Sequence, residues 1–137
     1  MPRTTILSLL GALMLAIASC GGGRSYVATG RGPALSADAR IDVVPVSAGN
    51  RQVRVHVEHL LPPERLHEDF STYSVWIVPP GGRPIPVGTL DYDRSSRRGQ
   101  LVTVTPFERF RVLVTAEPNT RTGFPTGAVV IDQDVAS

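Results

Sequence analysis

Lysine is missing altogether: all fourteen basic residues of this 137-residue chain are arginine. They are scattered and not gathered on one element, which reads as the codon bias of a GC-rich genome. Twelve carboxylates oppose them, and the net charge is only +2. A domain so near neutrality lacks the electrostatic footprint of a nucleic-acid binder. Cysteine is almost as scarce. With Cys20 alone, no internal disulfide can form, so packing must hold the fold. With 42% apolar and 19% charged residues, the chain is globular and not disordered in composition, and its length suits one domain. Catalytic signatures are absent too. No Gly-x-Ser-x-Gly elbow surrounds Ser71, Ser74, Ser95 or Ser96, and Gly21 to Gly23 opens no phosphate-cradling helix. No enzyme and no cofactor is expected.

What the N-terminus does have is an address. Met1 to Thr5 is short and polar with one positive charge at Arg3, and Ile6 to Ala18 is apolar apart from Ser8 and Gly11. Small residues then lead to Cys20. The run is short for a bilayer span, and the layout is that of a secretory signal. Ile17-Ala18-Ser19-Cys20 resembles the lipobox of bacterial lipoproteins, with isoleucine where leucine is usual. The resemblance implies a signal peptide over 1–19, cleavage before Cys20, and attachment of diacylglycerol by thioether and a palmitate-like chain by amide. That exceeds the two-chain requirement for stable anchoring in a membrane. Cleavage removes Arg3 and takes the charge from +2 to about +1. The competing reading is an ordinary signal peptide that leaves Cys20 a stray thiol. Gly21 stands where inner-membrane retention signals of some Gram-negative bacteria carry aspartate, which favours the outer membrane over the inner. Residues 20–36 are rich in Gly, Ala and Ser, and are expected to be a flexible linker with a reach of roughly 20–25 Å.

From residue 37 to 137 the dominant signal is period-two alternation. Ala39, Ile41 and Val43 alternate with charged residues, as do Val53, Val55 and Val57, with a turn at 47–50 between them. Residues 72–78 are β-branched or aromatic on both parities, as in a central strand. Prolines 79, 80 and 84 end that strand. Ile85 to Tyr92 and Gly99 to Thr105 read as a hairpin, followed by strands at Phe110 to Ala116 and Ala128 to Asp132. Seven or eight such strands in about 100 residues favour a two-sheet antiparallel β-sandwich of immunoglobulin-like, Greek-key type. Trp76 is expected as an anchor between its sheets.

Four pieces follow one another along the chain: Tyr73-Ser74-Val75-Trp76-Ile77-Val78, Pro86-Val87-Gly88-Thr89-Leu90, Val114-Thr115-Ala116-Glu117-Pro118, and Pro125-Thr126-Gly127-Ala128-Val129-Val130. Together they resemble the extracytoplasmic C-terminal domain of the anti-sigma-K factor family, over about two fifths of the chain. The resemblance implies a sandwich and a sensing or partner-docking role in the envelope, with Tyr73, Trp76, Gly88, Glu117, Pro118 and Pro125 as its recurring residues. Family members bind a sigma factor through a cytoplasmic domain joined by a spanning helix, and this sequence shows neither after Cys20. Each recurring residue also has a structural use. Gly88 suits a bulge or close approach to Trp76, Pro118 stops a strand, and Glu117 can accept backbone N–H bonds that pin the connection to Pro125.

Other clusters are weaker. His56 and His59, three apart, point to opposite faces of a strand, and His67-Glu68-Asp69 lies in the next loop; a zinc site needs three or four convergent ligands. No metal is assigned. Asp91 and Asp93 share a face as calcium ligands would, but Arg94, Arg97 and Arg98 beside them favour charge compensation in an exposed turn. Asp132 and Asp134 fall near a frayed C-terminus, and Arg121, like the other turn arginines, reads as a solubilising charge. The expectation is a lipid-anchored, non-catalytic interaction or structural module of the bacterial cell envelope. Its partners are the membrane, through Cys20, and an envelope protein. The alternatives are a regulatory relative of the anti-sigma domains, and a metal- or glycan-binding envelope protein. An exposed apolar patch at Pro79–Pro84 and Phe124 would mark the docking surface.

Overall fold

The computed structural model describes residues 22–136. The signal segment 1–19 and Cys20 lie outside the described residues. Alternation does what it predicts in β2 (Asp38–Pro45) and β3 (Arg51–Glu58): Ala39, Ile41, Val43, Val53, Val55 and Val57 are all turned inward and buried. Each inward valine contributes about 1.5–3 kcal/mol at most. The turn between the two strands comes at Ser47–Gly49.

Among the described residues there are nine strands in two antiparallel sheets, one or two more than the seven or eight expected. The others are β1 (Arg24–Thr29), β4 (Thr72–Val78), β5 (Ile85–Thr89), β6 (Asp91–Asp93), β7 (Arg98–Thr105), β8 (Arg109–Glu117) and β9 (Ala128–Ala136). The first sheet runs β1-β2-β3-β7-β6 and the second β5-β4-β8-β9. Strands β2-β3-β7-β6 therefore take the A-B-E-D places of an immunoglobulin-like sandwich and β4-β8-β9 the C-F-G places, with β5 added beside β4. The chain crosses between sheets after β3, after β5 and after β7, which makes the fold a Greek key.

Three expectations need correction. The flexible linker is overturned from Arg24 onward: that stretch is β1, paired residue by residue with β2 from Arg24↔Val43 to Thr29↔Asp38. Its inward side chains are Tyr26 and the small Ala28, so its apolar face is too thin to stand out among Gly and Ser. The tyrosine hydroxyl of Tyr26 donates to the Ala136 carbonyl, and Arg31 N–H donates to the Val130 carbonyl at 2.8 Å, which join β1 and the turn after it to β9. The expected hairpin from Ile85 is also two strands. β5 pairs with β4 in the second sheet, buried Leu90 marks the crossing, and β6 pairs with β7 in the first. Finally, β9 continues past Asp132 to Ala136, so the two aspartates sit in a paired strand and Asp132 meets Arg111 at 3.2 Å and Arg31 at 3.5 Å.

Candidate functional site

β4 is buried on both parities, and its two faces do different work. Tyr73, Val75 and Ile77 join the core between the sheets. Trp76 points the other way. It is 0% exposed yet lies outside that core, opposite Leu113 on the outward face of the second sheet. The expected anchor between the sheets is thus an anchor on the back of one sheet. Strand parity decides it, because three aliphatic or aromatic residues on odd positions already fill the inner face.

Trp76 opens a hydrogen-bonded chain. Its Nε1 donates to Thr115 Oγ1 at 2.9 Å, and that hydroxyl donates to Glu117 Oε1 at 2.6 Å. Glu117, also 0% exposed, accepts from Thr126 N at 3.0 Å and from Thr126 Oγ1 at 2.5 Å. The carboxylate thus pulls the 118–127 connection back onto the outward face. Burial pushes the Glu117 carboxyl up, but the hydroxyls of Thr115 and Thr126 and the N–H groups of Gly127 and Thr126 outweigh it and hold it below its ordinary 4.5. Gly127 is needed here: a Cβ would fall 1.7 Å from the Ala116 carbonyl oxygen. Just before these residues, Pro118 ends β8 and its carbonyl accepts from Ser71 Oγ at 2.5 Å, while Pro125 is half-buried beside Thr126.

The remaining recurring residues act elsewhere. Gly88 has φ +145° at a bulge in β5, and a Cβ there would meet Leu101 Cδ1 at 3.1 Å. Its close neighbour is Leu101 and not Trp76. Tyr73 donates to the Leu61 carbonyl at 2.5 Å and Tyr92 to the Leu60 carbonyl at 2.6 Å, with the two rings edge to face at 5.6 Å. Burial pushes both phenols up. One tyrosine comes from each sheet, so the pair clamps the 60–61 segment across the end of the sandwich. Tyr92 carried no motif in the sequence; the signal missed was its inward parity next to the sheet crossing.

The histidines do not converge. Each meets its own carboxylate: His56 Nε2 and Glu58 at 3.4 Å, His59 Nδ1 and Asp38 at 3.1 Å, His67 Nδ1 and Asp69 at 3.6 Å. Among the described residues no three His, Cys, Asp or Glu side chains are grouped to hold a metal ion. The arginines after Asp91 and Asp93 do not compensate those aspartates either. Arg94 forks onto Glu64 and Arg98 reaches Glu58 at 3.3 Å, while Asp93 accepts from Ser95 N and Oγ, which lowers its pKa.

A cleft of about 460 Å³ opens at the far end of β4, lined by Val78, Pro79, Pro80, Phe110 and Val135 together with Arg109, Arg111 and Asp134. A smaller one of about 150 Å³ adjoins it at Ala136 and is lined by Arg24, Tyr26, Pro45 and Arg51. Phe124, 67% exposed, is on the 118–127 connection at the opposite end of the second sheet, since Thr72 pairs with Glu117 and Val78 with Arg111. Those ends are roughly 20 Å apart. The expected single patch is two separate features. Among the described residues, no helix is long and apolar enough to cross a membrane. No protein-family model, curated protein or solved structure matches the chain.

Proposed function

We propose that this protein is a membrane-anchored lipoprotein of the bacterial cell envelope that acts as a non-catalytic interaction or structural module. The observation that carries the reading is the apolar run ending in Ile17-Ala18-Ser19-Cys20, four residues before the first strand. Retention of a folded domain at a lipid surface is the physical outcome of three acyl chains at that cysteine, one more than stable anchoring needs. The use of the buried polar groups supports the non-catalytic part. The carboxylate of Glu117, the hydroxyl of Thr115 and the indole N–H of Trp76 are engaged in tying a connection to a sheet, not aimed into a cleft. Outer-membrane residence is the favoured location, from Gly21 after the cysteine.

A second reading, a regulatory relative of the extracytoplasmic domains of anti-sigma-K factors, draws support from the same cluster. Three of the four sequence pieces that carry the resemblance meet in it, at Trp76, Thr115 with Glu117, and Thr126. Cys20→Ala is expected to move the protein from the membrane pellet to the soluble fraction, and persistence in the pellet would sink the anchor reading. Covalent crosslinking in native envelopes with mass spectrometry separates the two roles: a sigma-regulatory membrane protein among the reproducible products favours the second.

A further inference from the structure

We propose that the end of the sandwich nearest Cys20 rests on the lipid surface, with the guanidinium groups of Arg24, Arg83 and Arg109 on the phosphates of anionic lipid headgroups. This rests on the lipoprotein reading above and adds an orientation and a lipid class to it.

Chain length supplies the first argument. Cys20 precedes Arg24 by four residues, so a lipidated Cys20 keeps the start of β1 within about 14 Å of the headgroups even when fully extended. Strand β8, Arg109–Glu117, runs the height of the sandwich, roughly 30 Å. The near end is therefore always within reach of the lipid, whereas the far end touches it only if the sandwich lies on its side. Antiparallel register identifies the near end: Arg24 is opposite Val43, Arg51 opposite Thr105, and Arg109 opposite Ala136, whose carbonyl accepts from Arg24 Nη1 at 3.1 Å. The loop between β4 and β5, with Arg83, joins Val78 and Ile85 at that same end.

Charge supplies the second. Arg24, Arg83 and Arg109 are exposed and come from three separate parts of the chain. Arg51, at the same end, is matched by Glu108 at 3.5 Å. At the opposite end Arg94 and Arg98 are matched by Glu64 and Glu58, and the exposed Arg65, Arg97 and Arg121 stand against the exposed carboxylates of Asp38, Glu68, Asp69 and Asp93. The near end is thus the more positive of the two, and an anionic surface favours it. Apolar tips complete the near end: Val46 and Ile85 are 37% and 41% exposed, and Pro80 is exposed at the same end. An end that carries both arginine and apolar side chains suits the headgroup boundary.

The test uses the full lipidated protein in vesicles of phosphatidylglycerol with phosphatidylcholine, and in phosphatidylcholine alone. Ser47→Cys at the near end and Thr120→Cys at the far end each accept one fluorophore, because the acylated Cys20 offers no thiol. Quenching by headgroup-labelled lipid is expected to be strong for the Ser47 probe and weak for the Thr120 probe in phosphatidylglycerol vesicles. Changing Arg24, Arg83 and Arg109 to Gln is expected to weaken the apposition about fivefold per arginine. Equal quenching of both probes overturns the seating. Unequal quenching that ignores both lipid charge and the arginine changes overturns the assignment to anionic lipid. The mass of the Cys20 peptide, read on the same sample, keeps the two proposals apart. An unmodified Cys20 removes the anchor and the seating together, whereas a lipidated Cys20 with equal quenching removes the seating alone.

Discussion

On the first sheet the outward residues of β2 and β3 include Arg40, Asp42, Arg54 and His56, all in contact with water. On the second, the outward residues of β4 and β8 include Ser74, Trp76, Leu113, Thr115 and Glu117, and all are buried. The same backbone geometry thus serves an open face and a covered one. An open face needs only charges and register, because water satisfies whatever polar groups point outward. A covered face must satisfy its own, which is why an indole, two hydroxyls and a carboxylate occur there as a connected chain.

Breaking that chain at its head should have the largest effect. Trp76→Ala removes a fully buried indole and is expected to cost about 3–5 kcal/mol, read by circular dichroism in a urea titration because the chain's one tryptophan is gone. Next is Glu117→Gln, which keeps the shape but removes the charge that draws in Thr126. A loss of about 1.5–3 kcal/mol is expected at neutral pH. Because the folded Glu117 titrates below its ordinary 4.5, its contribution is complete above that value and is lost as pH falls through the depressed one. Urea midpoints of the parent and the variant should therefore approach each other as pH falls below 4.5; a constant gap would mean that the charge is not what holds the connection. Tyr73→Phe, which removes only the hydroxyl on Leu61, should cost about 1 kcal/mol by the same titration. On the open face, His56→Ala should change stability by no more than about 0.5 kcal/mol. A larger loss there would erase the contrast between the faces.

The contrast also explains what could be read without coordinates. Val53, Val55 and Val57 announce one buried side and one wet side, so β2, β3 and their turn were legible. Residues 72–78 announced burial on both sides, but not which side faced the other sheet. An indole looks the same in sequence whether it packs inward or outward, and so the sequence does not tell which layer Trp76 joins. Glu117 was legible as an acceptor for the following connection, since a carboxylate at a strand end before proline has few other uses. Thr126 as its main partner was not, because the nine intervening residues carry no periodic signal. β1 was lost for the opposite reason: its inward side chains are small, and glycine and serine around it look like a spacer.

That first strand has a mechanical consequence under the anchor reading. Any drag on the domain, from flow or from a bound partner moving away from the membrane, is transmitted through residues 20–23 into Arg24. The pull runs along the strand axis, so the six pairs from Arg24↔Val43 to Thr29↔Asp38 are strained together and not peeled one by one. The bonds from Arg24 and Tyr26 to Ala136 divide the force between both sheets at the point where it enters. The domain is thus held by shear at its attachment point, and tension alone should leave the Trp76 and Glu117 face undisturbed until β1 has slid free.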